Sequence, residues 1–301
     1  MNNLNGYERE QINSWVNGVS YEVAFWNAFL TRRKSEDIKN RLQSKEELTL
    51  TGCDIQSIVK FDKGEKPLIL DVGCALSYAT GTKINGRETD FHYIDPLANF
   101  YNEILDKKNL SLPRIELGMV EYLTGSVKKN TVSLIIIKNA LDHSFDPIRG
   151  ILECFCTLKY DGILYLHHFK NEAEHENYRG FHQYNIDCKN DQLICWNREN
   201  NVNISEILKP YAHIDIVDSA NYITAIITKQ ADLEIEDFFP IEADKGRFCF
   251  QIMYLISELL NRQISSAYSR KYFFLKIFHW FAARFPHEFK EKVKKILTKQ
   301  M

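Results

Sequence analysis

Residues 68–81, Leu-Ile-Leu-Asp-Val-Gly-Cys-Ala-Leu-Ser-Tyr-Ala-Thr-Gly, constrain the fold more than any other stretch of the chain. Leu68, Ile69, Leu70 and Val72 read as a short buried strand. Asp71 and Gly73 fall where that strand ends and the backbone must turn, and small residues follow at Cys74, Ala75, Ser77, Ala79 and Gly81. A turn without bulky side chains lets a ligand approach the backbone closely. A carboxylate in that turn repels a pyrophosphate and attracts a cationic amino-acid group. The segment therefore favours a nucleoside ligand without phosphates over a dinucleotide.

From Lys66 onward, strand and helix signals alternate. Apolar runs at Leu68–Val72, Phe91–Ile94, Val132–Ile137 and Ile163–Leu166 are separated by helical stretches, notably Leu97–Leu105 and Pro147–Leu158. This alternation predicts a parallel sheet with helices on both faces. Near-continuous apolar strands such as Leu134-Ile135-Ile136-Ile137 fit a sheet covered on both sides. His213–Val217 and Tyr222–Thr228 read as a terminal hairpin on the same sheet.

Ahead of this core, residues 1–65 read as a helical extension, with Trp15, Val19, Val23, Phe25, Trp26, Phe29 and Leu30 at roughly helical spacing and a second helix starting at Ser35. Trp15 and Trp26 could touch a ligand, with core packing the expected role of each. Residues 66–230 form the core domain, interrupted after a core strand by an insertion over 167–205. Within it, Asn171–Tyr178 reads as helix, and Gln183–Cys188 with Gln192–Trp196 reads as a hairpin about Lys189-Asn190-Asp191. In open α/β sheets the ligand crevice lies outside the carboxyl ends of the strands, so an insertion there is a natural substrate cap. Residues 231–301 read as a helical extension.

Composition excludes some classes. With 45% hydrophobic and 26% charged residues, the chain of 301 residues is globular. Seven cysteines without metal-type spacing point to reduced thiols and a cytoplasmic protein. The N-terminus lacks a signal-peptide pattern, and no apolar run reaches the length of a membrane span. The net charge of −2 gives no argument for nucleic acid. It hides an asymmetry: residues 262–301 hold ten Lys or Arg against two Glu, leaving 28 basic and 38 acidic groups in the rest. Phe273, Phe274, Ile277, Phe278, Trp280 and Phe281 lie among Arg270, Lys271, Lys276 and Arg284. That mixture suits peripheral attachment at the inner face of a membrane, and equally an apolar face packed on the core or on a partner.

Four features follow one another in order. Asp71-Val-Gly73 ends the first strand. Asp95 ends the second, 24 residues later, where a carboxylate suits two ribose hydroxyls. Gly118-Met-Val-Glu121 follows the third strand, with Glu121 itself read as structural. Asn139-Ala-Leu-Asp142-His143 follows the fourth, and Asp146-Pro147 opens the next helix. This order resembles the class I S-adenosylmethionine-dependent methyltransferases over about residues 66–229, more than half of the chain. The resemblance implies a Rossmann-like α/β fold: a seven-stranded, mostly parallel sheet with a terminal antiparallel hairpin. It also implies S-adenosyl-L-methionine as cofactor. Asp71, Gly73 and Ala75 would face the amino-acid end of that cofactor, and Asp95 its ribose. Met119 and Val120 would lie beside the adenine, with Asn139 and Ala140 under the methionine part. Lys159-Tyr-Asp-Gly162 looks like the turn before the fifth strand. Ala75 and Ser77 stand where many members carry further glycines, and Met119 where an aspartate often contacts the adenine.

The insertion concentrates hydrogen-bonding groups from His167 to Asn185, among them Asn171, Glu172, Tyr178 and Gln183, the expected substrate contacts. Together with Asp95-Pro96-Leu97 and the Asn139–Ser144 segment, it resembles a bacterial subgroup that methylates surface polysaccharides and other small molecules. The resemblance implies a small polar acceptor, such as a sugar or surface-glycan precursor, methylated on oxygen or nitrogen. A hydroxyl acceptor benefits from a base with a pKa near neutral, which nominates His143, His167 and His182, with His167 and His182 favoured because they come from the cap. Three histidines with Glu172 and Glu174 lack a known ligand spacing, so no metal is expected. The rival readings are a nucleotide-dependent oxidoreductase on a similar sheet and a methyltransferase-like binding protein without chemistry.

Overall fold

The computed structural model describes residues 6–30, 32–43, 46–61 and 64–239. The basic and aromatic tail over 262–301, with its membrane or partner role, lies outside the described residues. Helices α1 (Gly6–Phe29) and α2 (Arg32–Gln43) lead, followed by the one-turn α3 (Ile55–Ile58). The second helix begins at Arg32 rather than Ser35, because Arg32, Arg33 and Lys34 are themselves good helix formers; Ser35 is buried within it.

The core strands are β1 (Leu68–Val72), the short ribbon β2 (Lys83–Ile84) and β3 (Arg87–Glu88), then β4 (Asp90–Asp95), β5 (Glu116–Leu117), β6 (Val132–Lys138) and β7 (Leu158–Phe169). Helix α4 (Ala98–Lys107) follows β4 and α5 (Pro147–Thr157) follows β6. The cap contains α6 (Glu172–His175), β8 (Asn185–Lys189), β9 (Gln192–Trp196), β10 (Asn201–Asn203) and α7 (Ile204–Leu208). Strands β11 (Ala212–Asp218) and β12 (Tyr222–Lys229) follow.

Seven strands form one sheet in the order β11-β12-β7-β6-β1-β4-β5. The five from β5 to β7 are parallel, while β12 runs antiparallel to β7 and β11 antiparallel to β12. This is the mostly parallel sheet with a terminal hairpin that the strand pattern predicts, and the Rossmann-like arrangement that the resemblance implies. Its two faces are both buried, and period-2 alternation assigns them. Leu70, Val72, Ile135, Ile137, Leu164 and Leu166 pack with Ile151, Leu152 and Phe155 of α5. Ile69, Leu134, Ile136, Ile163 and Tyr165 pack with Leu48, Ile55 and Val59 from the N-terminal segment. The sequence of α5 explains its start: Asp146 accepts a hydrogen bond from the Arg149 N–H at 3.0 Å, and Pro147 fills the first turn.

One element differs from the expectation. Lys159–Gly162 is not a turn preceding the fifth strand; it lies inside β7 as an irregularity. Val132 pairs with Leu158 and Leu134 with Ile163, so two steps on β6 oppose five on β7. The extra residues loop out with Asp161 at φ 59°, and Lys159 is held by Glu65 at 2.7 Å. In the cap, β8, β9 and β10 form a small antiparallel sheet. Asn190 and Asp191, at φ 52° and 58°, make the two-residue turn whose twist suits a hairpin. The expected cap helix shrinks to the single turn of α6, because Asn177 and Tyr178 leave it in left-handed conformations.

Candidate functional site

The sheet order changes direction between β1 and β6, and a cleft opens at the carboxyl ends of β1, β4 and β6. It is open to solvent and lined by residues that include Val72, Gly73, Asp95, Leu97, Asn139 and Ala140. Each strand end supplies part of the wall.

At the end of β1, Gly73 adopts φ 70°. A Cβ there would sit 2.5 Å from the Ala140 Cβ, so the close approach of the two loops requires glycine. The residues after it keep left-handed turns without glycine: Ala75 is at φ 45° and Tyr78 at φ 38°. Ala75 is held there by its N–H, which donates to Asp95 Oδ2 at 2.9 Å. Asp95 Oδ1 accepts from the Leu97 N–H at 2.8 Å. Burial pushes the Asp95 carboxyl up, against the pull of these two N–H donors, to about 7. A carboxylate has roughly four acceptor sites, so two remain for a ligand.

Beside β5, Met119 and Val120 form an apolar wall continued by Leu97 and Tyr101. Glu121 closes it, buried, with Oε1 accepting from the Phe145 N–H at 2.9 Å. Burial raises this carboxyl to about 7, the Asp146 charge adding to the effect and backbone N–H groups opposing it. After β6, Asn139 (φ 46°), Ala140 and His143 line the floor. Asn139 spends its side-chain oxygen on the Phe169 N–H at 2.8 Å, so it shapes the floor rather than presenting a free amide oxygen.

Helix α1 and the cap meet over the cleft. Trp15 stacks on Phe181 with ring centroids 4.9 Å apart and donates from its indole to the His143 carbonyl at 2.8 Å. Glu22, also on the wall, accepts from the Trp26 indole at 2.6 Å. Trp15 and Glu121 thus line the cleft while also making packing and backbone contacts.

Several expected site residues stand elsewhere. Asp71 shares the Ile69 face of β1, by strand alternation, and not the Val72 face that lines the cleft. Its carboxylate turns under the loop to accept from the Ala79 N–H at 2.6 Å. His167 stacks on Tyr222 at 5.0 Å and pairs through Nδ1 with Thr224 Oγ1 at 2.8 Å, away from the wall, and burial lowers its pKa. Asn171 binds Asp187, Tyr178 accepts from Asn185, and Gln183 holds the Tyr178 and Gly180 carbonyls. These groups build the cap. Glu172, its pKa raised by burial, lies within electrostatic reach of Asp142, His182 and His143.

His143 and His182 do come together, through Asp142, a residue that pattern reading passed over. His182 Nδ1 lies 2.9 Å from Asp142 Oδ2 and 3.1 Å from His143 Nε2, and that Nε2 lies 3.4 Å from the same oxygen. Burial would raise the Asp142 carboxyl, but the imidazoles of His143, His182 and His168 outweigh it and hold it at about 2. Burial would lower the His182 pKa, and the bond to Asp142 more than reverses that. His168, wholly buried, is pushed down to about 4 by burial and stays neutral.

No protein-family model matches the sequence. No curated protein matches it either. Among solved structures, the chain is similar to the CMeT domain of the citrinin polyketide synthase (16% identity, 57% of this chain and 48% of that one, TM-score 0.39). It is similar to a SAM-dependent methyltransferase from Aquifex aeolicus (16% identity, 55% and 85%, TM-score 0.34). A third is a putative S-adenosylmethionine-dependent methyltransferase from Listeria monocytogenes (11% identity, 65% and 98%, TM-score 0.36). The matched region spans about half the length of the first of these. Among the described residues, no helix is long and apolar enough to cross a membrane.

Proposed function

We propose that the protein is an S-adenosylmethionine-dependent methyltransferase acting on an oxygen or nitrogen of a small polar acceptor. The observation that carries this reading is the charge of the cleft. Its wall bears Glu22, Asp95 and Glu121 and no Lys or Arg among the described residues. Such a wall disfavours the pyrophosphate of a dinucleotide and favours a cationic nucleoside. That weighs against a nucleotide-dependent oxidoreductase.

The residues present fit the cofactor. Asp95 keeps acceptor capacity for two ribose hydroxyls. Met119, Val120 and Leu97 offer an apolar slot for a purine, and Gly73, Ala75 and Ala140 allow close approach beside the amino-acid end. When bound, the sulfonium supplies an electrophilic methyl group with its leaving group already in place. The protein then has to align the acceptor and exclude water. Trp15 and Phe181 roof the cleft, and the Asp142–His143–His182 cluster stands at its edge to engage the acceptor. The polar cap edge, with Glu172 among its groups, suits hydroxyl-bearing acceptors, of which sugars and glycan precursors are one class. A direct test is equilibrium dialysis with S-adenosylmethionine. The wild type should bind, and Ala140→Trp, which fills the floor, should not. Equal uptake by both proteins would refute the site assignment.

A further inference from the structure

The contacts of Asp142, His143 and His182 pose a proton-counting problem. His182 Nδ1 carries at most one hydrogen, yet it faces Asp142 Oδ2 at 2.9 Å and His143 Nε2 at 3.1 Å. If that hydrogen goes to the carboxylate, it is not free for a full bond to the second imidazole. If instead Nδ1 accepts from His143, its lone pair is turned towards the carboxylate oxygen. Protons serve the cluster either as a divided, three-centre bond or with both ring nitrogens donating to Asp142 Oδ2, which leaves the two nitrogens 3.1 Å apart with no hydrogen between them.

A cation serves all three atoms at once. Nitrogen and oxygen ligands held about 2.0–2.2 Å from a divalent ion lie about 2.8–3.6 Å from one another at octahedral to tetrahedral angles. The three separations here, 2.9, 3.1 and 3.4 Å, fall on that scale. Two further features suit a bound ion. Asp142 is buried, and its Oδ1 has no hydrogen-bond partner among the described residues. This Oδ1 lies 3.9 Å from His168 Nδ1, and Oδ2, the oxygen that both ring nitrogens face, is the atom an ion would take. The imidazoles, by contrast, are reachable: the side chains of His143 and His182 are 20% and 27% exposed.

We propose that Asp142, His143 and His182 form a divalent transition-metal site at the edge of the cleft. Two imidazoles and one carboxylate suit zinc, cobalt, iron or manganese better than calcium or magnesium. Three protein ligands leave coordination positions open. His143 lines the cleft, so those positions are accessible to an oxygen or nitrogen donor of the acceptor. An acceptor hydroxyl bound there becomes more acidic and releases its proton to solvent. This role in acceptor binding rests on the methyltransferase reading; the metal site itself does not.

The test uses the full chain, stripped with a chelator and titrated with Co²⁺ while visible absorption is recorded. The expected result is one equivalent bound per chain, with d–d bands of an ion in a nitrogen and oxygen site. Binding should weaken at least tenfold in His143→Gln, in His182→Gln and in Asp142→Asn. His213→Gln, which removes an exposed histidine paired with Asp215, should bind as the wild type does. Thermal melts of each variant without metal identify any that fail to fold, and the remaining variants decide. No saturable binding by the wild type, or unchanged binding in the folded variants, would overturn the site. S-adenosylhomocysteine titrated into the same stripped protein separates the two claims. Cobalt binding without nucleoside binding would keep the metal site and remove the methyltransferase reading; the reverse would keep that reading and remove the metal.

Discussion

The Asp95 carboxylate accepts the Ala75 N–H at 2.9 Å, tying the end of β4 to the loop after β1. One side chain thereby shapes the loop and faces the cleft. It holds Ala75 in a left-handed turn that glycine would take at no cost, and in the proposed function its remaining lone pairs serve the ribose. Asp95→Ala should therefore weaken S-adenosylhomocysteine binding roughly 10- to 100-fold, the worth of hydrogen bonds to a charged group. It should also lower stability by about 1–3 kcal/mol through the two backbone N–H groups left unpaired. Calorimetric titration and chemical denaturation read the two effects separately.

Gly73→Ala should destabilise the protein by about 1–3 kcal/mol. Two penalties contribute: φ 70° and the 2.5 Å approach to the Ala140 Cβ. Adding Ala140→Gly removes the second penalty and not the first, so the double variant should recover part of the loss. A double-mutant cycle by urea denaturation measures the coupling, and additive effects would contradict the contact.

How much of this was legible in the sequence depends on how local each signal is. Strands such as Val132–Lys138 are near-continuous apolar runs buried on both faces, and such runs announce themselves. The start of β7 was hidden because Lys159–Gly162, a polar stretch, bulges within the strand. The strand-end residues Gly73, Asp95, Met119 and Ala140 stand on the cleft wall because position at a carboxyl end nearly determines it. Asp71 falls on the face opposite Val72 by strand alternation, and its bond to the Ala79 N–H, eight residues on, is set by the loop and not by any period-2 pattern. Trp15 and Glu22 lie 53 and 46 residues before the start of β1, and no local pattern connects them to the cleft. Asp142 and His182 are 40 residues apart, and only the folded cap brings them together.

Gly18→Ala offers a check on the roof. A glycine-to-alanine change inside a helix ordinarily stabilises by about 1 kcal/mol. Here a Cβ on Gly18 would collide with the Phe181 ring that stacks on Trp15. The expected result is a lower melting temperature and weaker nucleoside binding, with Phe181→Leu partly restoring stability in the double variant. A gain in stability from Gly18→Ala alone would contradict the packing.

Glu121 makes stability depend on pH. Its carboxyl titrates near 7 in the folded protein, against an ordinary value of 4.5. The folded state therefore holds a proton that the unfolded state has lost between these values. Its contribution is present below about pH 4.5 and is lost as pH rises through 7. Glu121→Gln, which mimics the protonated form, should be close to the wild type at pH 4.5. By pH 8 it should be more stable than the wild type by about 1–3 kcal/mol. Urea denaturation across that range measures the difference, and a difference that does not grow with pH would contradict the assignment.

The same ionisation should tune ligand choice. Asp95 and Glu121 both titrate near 7 on the cleft wall. Raising pH from 6 to 8 adds negative charge beside the position proposed for a sulfonium. The affinity of S-adenosylmethionine relative to uncharged-sulfur S-adenosylhomocysteine should rise roughly 3- to 10-fold over that interval. Parallel titrations at the two pH values give the ratio, and Glu121→Gln should flatten its change.

The central claim is that the acidic cleft at the ends of β1, β4 and β6 takes a nucleoside without phosphates. Isothermal titration of the full chain with S-adenosylhomocysteine and, separately, with nicotinamide adenine dinucleotide tests it most directly. The account predicts one equivalent of S-adenosylhomocysteine bound, weakened by Asp95→Ala, and no heat from the dinucleotide. Saturable dinucleotide binding with no response to S-adenosylhomocysteine would contradict it.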